Sequence, residues 1–243
     1  MALSSVGTVR NRILSALPRA ALDDLLLHLY PVSLSQRQIL HEAGAPIRQL
    51  YFVEQGLASV LTTLTNGDAI EVRMIGREGV TGFPYLLGAE ILPQQIIVQV
   101  PGNALRISSE LLKTEFDRRE ALRHNVLRFV NAANAMTSQT AACNRLHSVE
   151  QRCARWLLNA SDRVGADTMP ITHEFLSLLL GVRRSGVTVT AGRLQHSGLI
   201  RYHRGHLTIL NREALEPFAC ECYRIDREQL EWDQPNRRAD EQF

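Results

Sequence analysis

Arg183, Arg184, Ser185, Thr188 and Val189 stand within two helical turns of one another, and their chemistry suits the edges of DNA bases. An arginine donates two parallel hydrogen bonds to guanine O6 and N7, a serine serves either kind of edge, and a valine offers apolar contact to a thymine methyl. Such side chains read sequence only when a rigid element carries them into a groove. The flanking residues predict one. Thr172 is a good N-cap and Gly181 a helix stop, so a short apolar helix is expected between them. A second helix follows from the paired arginines, with Val187, Ala191 and Leu194 on its inner face. Ser197 and Gly198 end it, Leu199 to Tyr202 and His206 to Leu210 read as short strands, and Arg204-Gly205 forms the hairpin tip. This is a helix-turn-helix with a wing. From Ile171 to Arg212 arginines 183, 184, 193, 201, 204 and 212 face one acid, Glu174, and four histidines add latent charge. A phosphate backbone suits that surface, because each neutralised phosphate releases condensed counterions. The expected DNA-contacting set is Thr172, His173, Arg183, Arg184, Ser185, Thr188, Val189, Arg201, His203, Arg204 and His206.

The rest of the chain bounds this reading. With 243 residues, 45% of them apolar, there is material for two domains. The net charge of +2 hides an asymmetry, since nine acids and four arginines follow from Glu213 to Phe243. No apolar run is long enough to span a bilayer and no signal peptide opens the chain, so a cytoplasmic protein without membrane association is expected. Its four cysteines, 143, 153, 220 and 222, are too scattered for a disulfide framework. Cys220-Glu-Cys222 offers two soft ligands, which do not close a metal site, so no metal is expected. Packing is the role assigned to that pair, in an amphipathic stripe of Ala214, Leu215, Phe218, Ala219, Cys222 and Tyr223. No phosphate loop, nucleophile elbow or metal-ligand spacing points to an enzyme.

Residues from about Leu3 to Leu29 predict one or two short helices around Pro18. From Tyr30 to about Ile107, short alternating segments separated by Gly, Pro and Asn predict a compact β-barrel or β-roll, with a clear hairpin turn at Asn66-Gly67. From Glu110 to about Arg145 neither Gly nor Pro occurs, which predicts one long helix. Leu122, Phe129, Met136 and Cys143 recur every seven residues, with Val126, Ala133 and Thr140 between them. That stripe suits pairing with a second copy, and burial against the protein's own barrel is the alternative. The expected division is 1–109 for helices and sensor barrel, 110–147 for the dimerisation helix, and 148–243 for the DNA-binding domain and its helical extension.

From about Leu25 to Leu210 the chain resembles the Crp/Fnr family of bacterial transcription regulators. The block from Leu50 to Val60 looks like the family's strand, glycine turn and strand, and Ile171-Thr172, Gly181, Val187, Gly198-Leu199-Ile200 and Gly205 fall at its fixed DNA-domain positions. The resemblance implies an α+β fold: an N-terminal double-stranded β-helix (a β-roll or jelly-roll of the cyclic-nucleotide-binding type), a long dimerisation helix, and a C-terminal winged helix-turn-helix. The function it implies is a homodimeric, sequence-specific regulator on pseudo-palindromic double-stranded DNA, with RNA polymerase and a small-molecule effector as further partners. Arg184 matches the family's first base-reading arginine, whereas Ser185 and Val189 replace a glutamate and a second arginine.

The sensor departs further. Phe83 stands where cyclic-nucleotide-binding members carry a glutamate, and no Lys or Arg occurs from Phe83 to Val100, so cyclic AMP in the usual mode is not expected. Thr137-Ser138 resembles the pair that contacts adenine in the cyclic AMP receptor. The effector pocket expected from these residues is apolar, with Phe83, Tyr85, Leu86 and Ile97 as walls and Gln94, Gln95, Thr137 and Ser138 as polar handles. A filled core without ligand is the alternative. Absence of cysteine before Cys143 excludes the family's N-terminal iron–sulfur cluster, and no cofactor is expected. Scattered histidines such as His28 and His41 could ligate haem, although a lone histidine is much more often structural. The competing function is a cyclic-nucleotide- or small-molecule-binding regulatory module without DNA binding.

Overall fold

A computed structural model of the protein describes residues 9–231. The expected N-terminal helices fall partly outside that range, and the described part forms α1 (Arg12–Ser15) and α2 (Arg19–Leu26). Asn11 caps α1 by accepting from the amides of Ile13 and Leu14, and Pro18 opens α2 with a φ already suited to a helix start.

The barrel follows, as β1 (Tyr30–Leu34), β2 (Ile39–His41), β3 (Gln49–Thr63), β4 (Ala69–Ile75), β5 (Val80–Thr81) and β6 (Gln95–Ser108). All its pairings are antiparallel, in the order β1-β6-β3-β4, with β2 on β6 and β5 on β3. Where the sequence predicts a turn at Gln55-Gly56, β3 runs on as one long strand whose register with β6 shifts between Val53 and Ala58. The reason is steric. Gly56 has φ of 90°, and a Cβ there would come within 2.5 Å of the Val100 carbonyl oxygen. A Cβ at Gly102, opposite, would meet the Gln55 carbonyl oxygen more closely still. A pair of facing glycines lets the strand kink without breaking.

The long helix is also interrupted. Ser108 caps α3 (Ser109–Arg118), and the chain then bends at Arg119 (φ −107°, ψ 107°) before α4 (Glu120–Leu146). Arg119 bridges Glu115 in the preceding turn to Asp24 in α2, and those partners hold the bend. Propensity did not reveal it, since arginine is a good helix former.

A capping box of Ser148 and Gln151 starts α5 (Val149–Val164), which Gly165 ends in the left-handed region. Then come β7 (Thr168–Pro170), α6 (His173–Leu180), α7 (Arg184–His196), β8 (Ile200–His203), β9 (His206–Ile209), α8 (Arg212–Leu215) and α9 (Cys222–Leu230). A strand that the sequence pattern missed, β7, completes a three-stranded sheet in the order β7-β9-β8.

Two large apolar clusters organise the chain. One joins the N-terminal helices, the barrel, α3 and the first half of α4. The other carries Leu57, Leu61, Met74 and Val100 of the barrel into the core of the winged domain, beside Trp156, Leu176, Leu194 and Leu207. The dimer stripe therefore needs correction. Leu122, Val126, Phe129 and Ala133 are buried in the first cluster, Met136 packs with Leu230 of α9, and Cys143 lies against Cys220 and Cys222. Thr140 is half-buried and accepts from Arg155 at 2.9 Å. The heptad spacing recorded burial within one chain, because barrel and C-terminal extension together cover a length that neither covers alone. Among the described residues no helix is long and apolar enough to cross a membrane.

Candidate nucleic-acid interface and the sensor core behind it

Gly181 makes the tight turn between α6 and α7. Its amide bonds to the Leu178 carbonyl at 3.1 Å and the Val182 amide to the Ser177 carbonyl at 3.0 Å, a Schellman motif that closes α6. A Cβ at Gly181, whose φ is 60°, would also strike Ile70 of the barrel at 2.5 Å. On the far side of the turn Arg183 is the N-cap of α7. Val187, Thr190, Ala191 and Leu194 bury the inner face, and Arg183, Arg184, Ser185, Thr188 and Val189 are exposed at the start of the outer one. Thr188 Oγ1 donates to the Arg184 carbonyl at 3.1 Å and lies 3.3 Å from His173 Nδ1.

The other expected contact residues border that face. Thr172 caps α6, accepting from the Phe175 amide at 3.1 Å. Arg201, His203, Arg204 and His206 are exposed on the β8-β9 hairpin. At its tip Arg204 and Gly205 both have positive φ, 48° and 80°, as a type I′ turn requires. Tyr202 anchors the wing by donating its hydroxyl to the Ile171 carbonyl at 2.5 Å.

Two assignments change. His173 stacks on Tyr202 with ring centroids 4.3 Å apart, and its Nε2 is buried without a partner. Burial first and the Arg184 guanidinium second hold its pKa below the usual imidazole value. Arg212, counted with the basic surface, turns inward to Asp162, Glu216 and Tyr223.

The expected effector pocket is not gathered in one place. Phe83, Tyr85 and Leu86 belong to the barrel's core cluster, with Phe83 edge-on to Phe129 at 5.5 Å. Ile97 packs instead with the winged-domain cluster. Gln94 is half-buried, Gln95 reaches Glu42 at 3.1 Å, and Ser138 is exposed on α4 and bonds back to the Asn134 carbonyl. Thr137 does face the barrel, where it meets Arg73 of β4. Arg73 Nε donates to Thr137 Oγ1 at 3.0 Å, and its guanidinium lies 5.1 Å from the Phe83 ring centre. That cation was missed because it arrives from a strand before the Gly82–Ile96 segment. Phe83 thus packs on Phe129, and Arg73 is engaged by Phe83 and Thr137. His41 is buried, its Nε2 lies 3.0 Å from Thr81 Oγ1, and burial pushes its pKa down to about 4.

Behind Arg73, β4 meets α5. Trp156 Nε1 donates to Glu71 at 2.7 Å, Ser59 donates to the same carboxyl, and Arg163 Nε meets Glu78 Oε1 at 3.0 Å. Burial outweighs both donors and the nearby arginines and pushes Glu71 up to about 7. The folded protein thus holds this proton more tightly than the unfolded chain. The stabilisation is complete below the ordinary carboxyl pKa and is lost as pH rises through about 7. The unfolding free energy from urea titrations should accordingly fall between about pH 5 and pH 8, with a slope up to about 1.4 kcal/mol per pH unit, and Glu71→Gln should flatten that fall. Parallel pH profiles of the two proteins would contradict this.

The fold and face define a class: a transcription regulator that joins a cyclic-nucleotide-binding-type barrel to a winged helix-turn-helix. Sequence profiles agree, with the cyclic nucleotide-binding domain matching residues 31–119 and the Crp-like helix-turn-helix domain residues 151–218. Between them they cover more than half of the chain, which belongs to the Crp/Fnr family of transcription regulators. Solved structures share the architecture. A Crp/Fnr-family regulator from Eubacterium rectale is 18% identical over 85% of this chain and 97% of its own, with a TM-score of 0.66. FixK2 from Bradyrhizobium japonicum is 13% identical over 79% and 98%, with a TM-score of 0.67. A CRP-family regulator from Thermus thermophilus is 19% identical over 77% and 96%, with a TM-score of 0.65. No curated protein matches.

Proposed function

We propose that the protein binds pseudo-palindromic DNA as a homodimer, with α7 of each copy in successive major grooves and the wing on the adjoining backbone. The observation that carries this is the outer face of α7, where Arg184, Ser185, Thr188 and Val189 are exposed together. Half-sites about one helical turn (~34–36 Å) apart follow from two-fold symmetry. The dimer seam is assigned to the face of α4 that the barrel leaves open, with Leu127, Asn131, Asn134, Ser138 and Ala141 at alternating four- and three-residue steps. The domain division at 109/110 and 147/148 is retained, since Ser108 and Ser148 are helix N-caps.

The signal is proposed to act at the joint of β4, α4 and α5. A cavity of about 50 Å³ there is lined by Arg73, Glu71, Arg152, Arg155, Trp156 and Arg163 among others. A shift of β4 against α5 would be felt directly by the winged domain, which shares the barrel's apolar cluster.

Wing and helix separate in one experiment. Arg204 is exposed at the hairpin tip, so Arg204→Ala should weaken binding evenly across sequences and reduce the salt slope by about 0.9 per lost phosphate contact. An unchanged slope would remove the wing from the interface.

A further inference from the structure

Two residues at the end of α4 and two at the start of α9 converge on one point. Cys143 and His147 stand one helical turn apart, and Cys220 and Cys222 flank Glu221 where the extension turns into α9. The ligand atoms of all four lie within 4.8 Å of one another. Cys143 Sγ is 3.5 Å from Cys220 Sγ, and Cys222 Sγ is 3.6 Å from His147 Nδ1. A tetrahedral zinc with Zn–S of ~2.3 Å and Zn–N of ~2.0 Å has S···S edges of about 3.8 Å and S···N edges of about 3.5 Å. Both separations are close to those edges. We propose that Cys143, His147, Cys220 and Cys222 form a Cys3His site for a structural zinc ion, which fastens the end of the long helix to the C-terminal extension.

Further features fit a metal better than mere packing of thiols. His147 Nε2 lies 3.2 Å from the Glu221 carboxylate, which leaves Nδ1 directed at the sulfurs, the carboxylate–histidine arrangement that supports metal ligands. Gln139 Nε2 donates to Cys222 Sγ at 3.0 Å. Three thiolates and one zinc carry a net negative charge, and arginines answer it. Arg155 and Arg152 both lie close enough to Cys143 to interact with it electrostatically. The Arg152 Nε is buried without a hydrogen-bond partner. The ligand set selects the ion. Three soft thiolates and an imidazole at tetrahedral spacing suit a single zinc. A multi-iron cluster would hold its thiolates farther apart, since irons and inorganic sulfides intervene.

The full-length protein, reduced and stripped of metal, should take up one equivalent of cobalt(II). The expected spectrum has intense tetrahedral d–d bands and thiolate charge transfer, and zinc should displace it. Protein purified without chelator should contain zinc at one per chain. Cys143→Ser and Cys220→Ser should each lose the stoichiometric cobalt spectrum, whereas Cys153→Ala, remote from the cluster, should keep it. A wild-type cobalt titration without thiolate bands would overturn the proposal whether or not the serine variants fold. So would iron with acid-labile sulfide at this site, or stoichiometric metal retained in both serine variants.

Discussion

Arg163→Ala should lower the unfolding free energy by about 3–5 kcal/mol, the loss expected when one partner of a buried ion pair is removed. The side chains of Arg163 and Glu78 are 4% and 2% exposed, and the guanidinium also donates to the carbonyl and side-chain oxygens of Asn159. Its remaining nitrogen contacts Met136 Sδ at 3.3 Å, so one side chain of α5 touches the barrel turn and α4 together. Without it, Glu78 keeps the Gly76 amide at 3.0 Å but loses its counter-charge while buried. Much of the penalty comes from that stranded carboxylate, not from the attraction lost. The double variant Arg163→Met with Glu78→Gln should therefore recover a large part of the stability. Urea unfolding of the singles and the double checks this, and a single-variant loss under about 1 kcal/mol would show that the pair does not fasten the two domains.

Arg184→Ala should weaken binding to the preferred site by about 1–3 kcal/mol and relax specificity at one position per half-site. Arg184 is exposed in the first turn of α7, where a bidentate contact to guanine is within reach of a helix whose N-terminal end enters the major groove. Ser185 and Val189, beside it, contribute no second arginine, so the contrast between guanine and other bases at that position should rest largely on one side chain. Binding to a series of half-sites varied one base at a time measures it. Equal loss on every sequence would reassign Arg184 to the backbone.

The sequence made the punctuation legible. Thr172, Gly181, Gly198 and Gly205 marked the winged domain because each meets a local backbone requirement, and local requirements survive in any tertiary setting. Asn66-Gly67 marked its hairpin for the same reason. What escaped was set by distant partners. The bend at Arg119 depends on Asp24, the burial of the α4 stripe on the barrel and on α9, and the inward turn of Arg212 on Asp162. Arg73 was not legible as a neighbour of Phe83 because only the fold brings β4 against that segment. Cys143 and His147 did carry a local signal, a four-residue helical spacing that places both ligands on one face. Their partners Cys220 and Cys222 join them only through the packing of α9 on α4.

The most direct test of the DNA-binding account is capture of genomic fragments by the purified full-length protein at two salt concentrations, with footprints on the fragments retained. Enrichment of fragments sharing two inverted half-sites about one helical turn apart, with affinity falling as salt rises, is the expected result. Failure to retain any DNA at low salt, with or without cell extract, would contradict it.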